Sequence, residues 1–327
     1  MIVDPTPDNI SRAARLLHAG QLVSFPTETV YGLGADARNA DAVRRIFAAK
    51  ARPAEHPIIV HIADATMLPR WARAIPDGAW ALAEAFWPGP LTLILPRRPE
   101  VGDVVTGGQD SVGLRVPGHA VAQALLAGFA GLGGEGIAAP SANRFGRISA
   151  TTAQHVAEDF GNELALIIDG GPCRHGIEST IVAFTDGDAV LLRPGAVSIA
   201  ELSRVLGRAP KVAGANAPRA PGMLQTHYAP RTPARLMPPT ELTVALGELA
   251  RPGAHIAVLA HSVVQPPLFE GAWFDAPSHD TAYAQQLYAN LRALDALAAD
   301  EIWIEAPPDG PEWHAVRDRL RRATRSD

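Results

Sequence analysis

Cysteine is almost absent. The 327 residues contain one, Cys173, which excludes a disulfide framework and any multi-thiolate zinc or iron–sulfur site. Lysine is nearly as scarce: Lys50 and Lys211 are alone among 29 basic residues. Nucleotide bias in the genome accounts for the arginines, yet it leaves Lys50 conspicuous. No uninterrupted apolar run approaches the ~18 residues of a membrane span, and the start, Met1-Ile2-Val3-Asp4, lacks the charged-then-apolar pattern of a secretion signal. Charge of one sign is missing too. Against those 29 bases stand 34 acids, a net charge of −5, so no strong global field draws the chain to nucleic acid or to a membrane. The sequence also has no Gly-x-x-x-x-Gly-Lys-Ser/Thr loop, no His-Glu-x-x-His and no Gly-x-Ser-x-Gly elbow. A soluble, cytoplasmic protein is expected.

Hydrophobic residues make up 47% of the chain, ample for a core, and the length is a prior for about two domains. The first two-thirds alternates short apolar strands with helical stretches. Thr6-Pro7-Asp8 predicts a capped helix with Ile10, Ala13, Ala14 and Leu17 on one face. Asp41 to Lys50 predicts a second, striped by Val43, Ile46 and Phe47. Strands are expected at Gln21 to Phe25, Ile58 to Ile62, Leu91 to Leu95, Gly113 to Val116, Leu164 to Ile168, Thr180 to Phe184 and Ala189 to Leu192. From Leu206 to Pro233 the composition turns to Pro, Ala and Gly without a period, which reads as a semi-stiff linker. Beyond it come a strand at His255 to Ala260, a helix at Thr281 to Ala298, a strand at Glu301 to Glu305 and a last helix from Pro311. That alternation predicts a small, mostly parallel sheet.

Two motifs fail their context tests. Gly131-Leu-Gly133-Gly-Glu-Gly136 has dinucleotide-fingerprint spacing, but it follows a helical stretch and precedes a strand, the reverse of the required order. His175-x-x-Glu178 is a pair of metal-ligand types without further partners. Chemistry is better sought in the polar segments that Gly and Pro punctuate at strand ends. Ser24-Phe-Pro-Thr27-Glu28-Thr29-Val-Tyr31-Gly32-Leu-Gly34 sets hydroxyls beside two glycines, as a ligand loop or as a tight strand-to-helix turn. Lys50-Ala-Arg52-Pro53 puts two cations at a helix end, where they either complement the macrodipole or clamp a phosphate. His56 and His61 follow closely. In Ser111-Val-Gly-Leu-Arg115-Val-Pro117, alternation places Ser111, Gly113 and Arg115 on one strand face. An arginine in so apolar a stretch needs an anion, either a structural carboxylate or a substrate's. Ala138-Ala-Pro-Ser141-Ala-Asn143 ends a strand in small polar groups. Ser149-Ala-Thr151-Thr152-Ala-Gln154 has capping-box spacing at a helix start. Glu178-Ser179-Thr180 and Leu192-Arg193-Pro194-Gly195 add a hydroxyl pair and another arginine.

Together these segments are recognisable. PTETVYGLG, KARP with a histidine eleven residues after the lysine, SVGLRVP, APSAN, GIESTIV, LLRPG and PGMLQTHYAP stand in the order seen in threonylcarbamoyl-AMP synthases of the YrdC type. The chain resembles their long form, with YANLRALDAL and IEAPPDGPEW matching an appended C-terminal part. The resemblance implies an α/β fold: a YrdC-like twisted mixed-sheet domain with an open cavity over 1–205, a linker or lid over 206–233, and a small Rossmann-like domain over 234–327. It implies synthesis of threonylcarbamoyl-AMP and pyrophosphate from L-threonine, bicarbonate or CO2, and ATP. The product would feed threonylcarbamoyladenosine at position 37 of tRNAs reading ANN codons, through the downstream tRNA threonylcarbamoyl transferase machinery, with weak tRNA binding a further implication.

Carried over by position, Thr29, His61, Arg115, Ala139 and Ser179 would hold L-threonine, with Arg115 on its carboxylate. Lys50, Arg52, His56, Ser111, Ser141, Asn143, Ser149, Arg193 and Tyr228 would hold ATP, with Lys50 and Arg52 acting on its phosphates. Mg2+ would accompany the ATP, with no protein ligand assigned. Two departures stand out. His56 occupies a position where related sequences carry asparagine, and Leu224-Gln225-Thr226 replaces a basic stretch ahead of His227-Tyr228. Two alternatives belong to other classes. A non-catalytic RNA-binding module fits poorly with the net charge and with the retained Lys-x-Arg and Ser-x-Asn elements. A hydrogenase-maturation carbamoyl module would bring cysteine-rich zinc segments, which one cysteine excludes.

Overall fold

Thr6 caps the helix Pro7–His18 by accepting a hydrogen bond from the backbone N–H of Asn9, with proline in the first turn. Ala13, Ala14 and Leu17 are buried beneath it, as the helical period requires. The next helix, Ala40–Lys50, is capped by Asn39 and stops at Ala51, whose φ of 52° is left-handed. That conformation is strained for a residue with a Cβ. It reverses the chain between the two cations of the Lys-Ala-Arg segment.

The computed structural model describes residues 1–185, 187–214, 217–223, 226–248 and 255–324. They fall into two units, Met1–Phe145 with Ser149–Met223, and Gly146–Ile148 with Leu224–Asp327. The stretch expected as a linker is therefore divided between them. Its Leu224-Gln225 lies outside the described residues.

The first unit is built on an eleven-stranded mixed sheet. In spatial order the strands are Ile2–Val3, Leu166–Ile168, Val23–Phe25, Gly32–Asp36, Ile137–Ala138, Ile59–His61, Ser111–Arg115, Leu91–Pro96, Thr180–Thr185, Asp188–Arg193 and Lys211–Val212. Val23–Phe25 and Gly32–Asp36 are antiparallel neighbours, so the Thr-Glu-Thr segment joins strand to strand. This corrects the strand-to-helix alternative. Gly34 suits a strand here because a Cβ would lie 2.8 Å from Phe25 Cε1 and 2.9 Å from Ile137 Cγ2. A second correction concerns the later helix start. The capping-box spacing runs from Thr151 to Gln154, but Thr152 caps Ala153–Phe160 by accepting from His155 N–H, and Gln154 turns instead to Glu158.

One face of the sheet carries Val60, Leu93, Leu114 and Val182 into the largest core cluster. The other exposes Ile59, Ile94, Ile181, Ala183, Val190 and Leu192 to packing by Ala213, Ala217, Ala220 and Met223. The first part of the expected linker is thus bound to the sheet. Gln109 fixes it further by accepting from Arg219 N–H at 2.7 Å and donating to Arg219 O at 3.0 Å.

In the second unit four parallel strands run in the order Ala234–Met237, Glu301–Glu305, Ile256–Ala260 and Ala272–Asp275. The helix Asp280–Ala296 buries Leu287, Leu291 and Leu294 completely. Glu305 is fully buried and accepts hydrogen bonds from the N–H groups of His261, Ser262 and Val263. It therefore pins the loop that leaves the neighbouring strand.

Candidate active site

Strand register sets the predicted residues in a row. His61 is paired with Arg115 and with Ile137, two residues before Ala139. Leu114 is paired with Leu93, so the same register brings Arg115 opposite Thr92, and Thr92 is paired with Ile181, which is paired with Arg193. Side chains directly opposite in a ladder share a face. His61, Arg115, Thr92, Ile181 and Arg193 therefore cross five adjacent strands on the face that also carries Ile59 and Ile94, with Ala139 two residues after Ile137 and Ser179 two residues before Ile181. Four polar positions in that row, joined by the Ser179 hydroxyl through Thr92 and Arg193 and set beside an apolar floor, are what a small polar ligand requires.

Each position is buried and fixed. Arg115 Nη2 meets Glu28 Oε1 at 2.7 Å, with the two side chains 5% and 3% exposed, and Arg115 Nε donates to Gly89 O at 3.2 Å. Of the two anions considered for this arginine, the structural carboxylate is present. Burial works to raise the Glu28 pKa, but the Arg115 guanidinium outweighs it and holds the carboxyl below its usual range. His61 is pushed down to about 3 by burial first and by the Arg115 charge second. It is a neutral imidazole at physiological pH. Thr29 is fully buried, with its Oγ1 2.8 Å from Thr27 Oγ1. Ser179 Oγ lies 2.8 Å from Thr92 Oγ1 and accepts from Arg193 Nη2 at 3.1 Å. Arg193 Nε and Nη2 also fork onto Ser179 O, while Nη1 donates to Pro221 O at 3.0 Å. Gly195 lets these two segments touch: a Cβ there would lie 2.4 Å from Thr180 N.

A second group gathers around Lys50. Its ammonium is buried and donates to Ser141 O at 2.6 Å and to Asn143 O, while Phe145 N–H donates to Lys50 O. Burial holds its pKa well below that of a free lysine, and nearby Arg52 adds to the effect. In this structure Lys50 braces the Ser141–Asn143 turn, with one of its three N–H donors left without a partner among the described residues. Arg52 Nη2 donates to Pro57 O at 2.8 Å. Ser149 Oγ donates to the buried Glu178 at 2.6 Å. Ser111 begins its strand opposite Pro96, and the His56 ring packs edge-on to Phe145 with centroids 5.4 Å apart.

The profile of the family described as "Telomere recombination" matches residues 15–195, and that of "Threonylcarbamoyl-AMP synthase, C-terminal domain" matches 197–324. A threonylcarbamoyl-AMP synthase from Pyrococcus abyssi is 41% identical over 325 residues, covering 95% of this chain and 93% of its own. One from Bacillus subtilis is 39% identical over 324 residues, covering 96% and 92%. The chain belongs to the Sua5/YrdC family of threonylcarbamoyl-AMP synthases. This is a family of nucleotidyltransferase enzymes, and the chain matches its long form. The crystal structure of P. abyssi Sua5 complexed with L-threonine superposes with a TM-score of 0.90 at 37% identity, over 99% of this chain and 97% of that one. YciO of E. coli, at 23% identity and a TM-score of 0.51, shares the fold of the first part.

Tyr228 is the predicted residue that belongs to the second unit. It is buried in the second unit, stacked on Tyr288 with centroids 5.6 Å apart and 5.3 Å from the Arg319 guanidinium. The surface cavity of about 310 Å3 bounded by Pro76, Phe184, Leu206 and Arg208 contains none of the predicted residues. Sequence reasoning gave no role to Glu28, Thr92 or Glu178. A charged residue inside the first recognised motif was the available signal for Glu28. Thr92 sits in an otherwise apolar strand and becomes visible only through its register.

Proposed function

We propose that this chain makes L-threonylcarbamoyl-AMP and pyrophosphate from L-threonine, bicarbonate or CO2, and ATP. The observation that carries the reading is the row of His61, Arg115, Thr92 and, beyond Ile181, Arg193 across one sheet face, with Ser179 hydrogen-bonded to both Thr92 and Arg193. A guanidinium, a neutral imidazole and paired hydroxyls suit an amino acid's carboxylate, amine and hydroxyl. Arg115 would receive the carboxylate, with His61, Thr29, Ser179 and the backbone at Ala139 around the rest.

In the reaction, the amine nitrogen of threonine forms a bond to the carbon of CO2 and loses a proton, giving a carbamate. A carbamate oxygen then bonds to the α-phosphorus of ATP as the bond to pyrophosphate breaks. No side-chain nucleophile is needed. The protein contributes position and charge, and a buried, largely apolar setting protects the labile carbamate from water. The nucleotide would lie along Arg52, His56, Ser111, Ser141, Asn143, Ser149 and Arg193. Lys50 would set the Ser141–Asn143 turn and turn its remaining donor to phosphate. Among the described residues no group of three His, Cys, Asp or Glu side chains is placed to hold a metal. Mg2+ would enter with ATP as the MgATP substrate.

We further assign the product to threonylcarbamoyladenosine at position 37 of ANN-reading tRNAs, by transfer through partner enzymes in the cytoplasm. No helix among the described residues is long and apolar enough to cross a membrane. The deciding experiment is pyrophosphate release with threonine, bicarbonate and ATP omitted in turn. Release that persists without threonine refutes the proposal.

A further inference from the structure

We propose that Glu28 is a positioning residue for threonine, acting through Arg115. The inference rests on the reading that Arg115 receives the threonine carboxylate. Three observations carry it. The pair is buried and close, at 2.7 Å with 5% and 3% exposure, so solvent does little to weaken it. The backbone that delivers Glu28 is fixed on both sides. Thr27 Oγ1 accepts from the N–H groups of Thr29 and Val30 and donates to Val30 O at 2.6 Å, while Glu28 O accepts from His175 N–H at 2.8 Å. Finally, the donors of Arg115 divide cleanly. A guanidinium offers five N–H groups. Glu28 and Gly89 take one each, on Nη2 and Nε. Nη1 has no partner among the described residues, so a fork remains for a second carboxylate.

Arginine's advantage over lysine at such a site is a planar fork held at a set angle. A buried guanidinium with its carboxylate removed turns toward other acceptors, because an unpaired buried charge is strongly unfavourable. Glu28 thus fixes the plane in which Arg115 presents its free edge. A glutamine at this position keeps the shape and one acceptor oxygen but gives up the charge assistance that makes the bond short and strong.

A double-mutant cycle on the full chain tests this, read as Michaelis constants in threonine-dependent pyrophosphate release. Glu28→Gln is expected to raise the threonine constant about tenfold while the ATP constant moves less than twofold. In an Arg115→Lys background the same change is expected to add less than twofold, because the fork it orients is already gone. A purely structural role would multiply the two effects, or move both substrates together, and either outcome overturns the proposal. So does an Arg115→Lys enzyme with a raised threonine constant beside a Glu28→Gln enzyme with a normal one, a result that leaves the carboxylate assignment standing. If Arg115→Lys itself leaves threonine use unchanged, the carboxylate assignment falls and this inference with it. Should Glu28→Gln fail to fold, Glu28→Asp keeps the charge and withdraws it by one methylene. It is then expected to raise the threonine constant alone, and an unchanged constant overturns the proposal.

Discussion

Replacing Lys50 with methionine separates two jobs that the sequence could not tell apart. A phosphate clamp would touch only the nucleotide, whereas the structure has Lys50 donating to Ser141 O and Asn143 O beneath the turn that carries both side chains. Methionine fills similar volume and removes both donors. Each lost hydrogen bond is worth ~1 kcal/mol net, and a buried carbonyl left without a donor adds to that. Relief from burying an amine offsets part of the loss, since burial already disfavours the charged form. The balance is a destabilisation of about 2–3 kcal/mol, or a fall in melting temperature of roughly 5–10 °C for a unit of this size. The loosened turn should also raise the Michaelis constant for ATP severalfold and leave that for threonine within twofold. Calorimetry and substrate-dependent pyrophosphate release on one preparation give both answers. A variant that melts with the wild type while its ATP constant rises would refute the bracing role and restore the simple clamp.

Three further expectations concern the pH dependence of two buried groups and the anchoring of the segment before Met223. His61 titrates near 3 when folded against about 6.5 when unfolded, so the unfolded chain binds the extra proton first. Stability present above pH 6.5 is lost on acidification by ~1.4 kcal/mol per pH unit. Denaturant titrations at pH 6.5 and pH 5 should differ by about 2 kcal/mol more in wild type than in His61→Asn; equal differences would show that His61 is not buried neutral. Glu305 is drawn down to about 2, burial being outweighed by hydrogen bonds from His261, Ser262 and the backbone. Its contribution is complete above the unfolded value and is lost as pH falls toward 2. Glu305→Gln should therefore destabilise by about 2–3 kcal/mol at pH 7 and far less at pH 2.5, while an equal loss at both pH values would contradict a charged Glu305. Gln109→Ala removes two hydrogen bonds to Arg219 and should speed proteolytic cleavage within 217–223, with unchanged cleavage arguing that apolar packing alone holds that segment.

Elements with a strong period were legible from residues alone. Pro7–His18 has its threonine cap, its early proline and a clean apolar stripe, and Glu301–Glu305 falls where its alternation with helices placed it. The chemistry-bearing segments were legible as motifs because small polar residues and glycines interrupt apolar strands at fixed spacings. Short or glycine-rich strands such as Gly32–Asp36 and Ile137–Ala138 carry too little period of their own, and they exist because neighbouring strands pair with them. Composition marked Leu206 to Pro233 as a joint, yet alanines at 213, 217 and 220 pack on the sheet with Met223, an event that depends on a surface formed by distant residues. The same limit applied to Arg115. Its sequence demanded an anion, since burying an unpaired guanidinium is prohibitive, but two anions answered that demand equally well. Only the tertiary fold, bringing residue 28 within 2.7 Å of residue 115, decided that a carboxylate of the chain itself is there. Local sequence sets conformation and the need for a partner; which partner meets it is settled by strand order and register, and those are properties of the whole sheet.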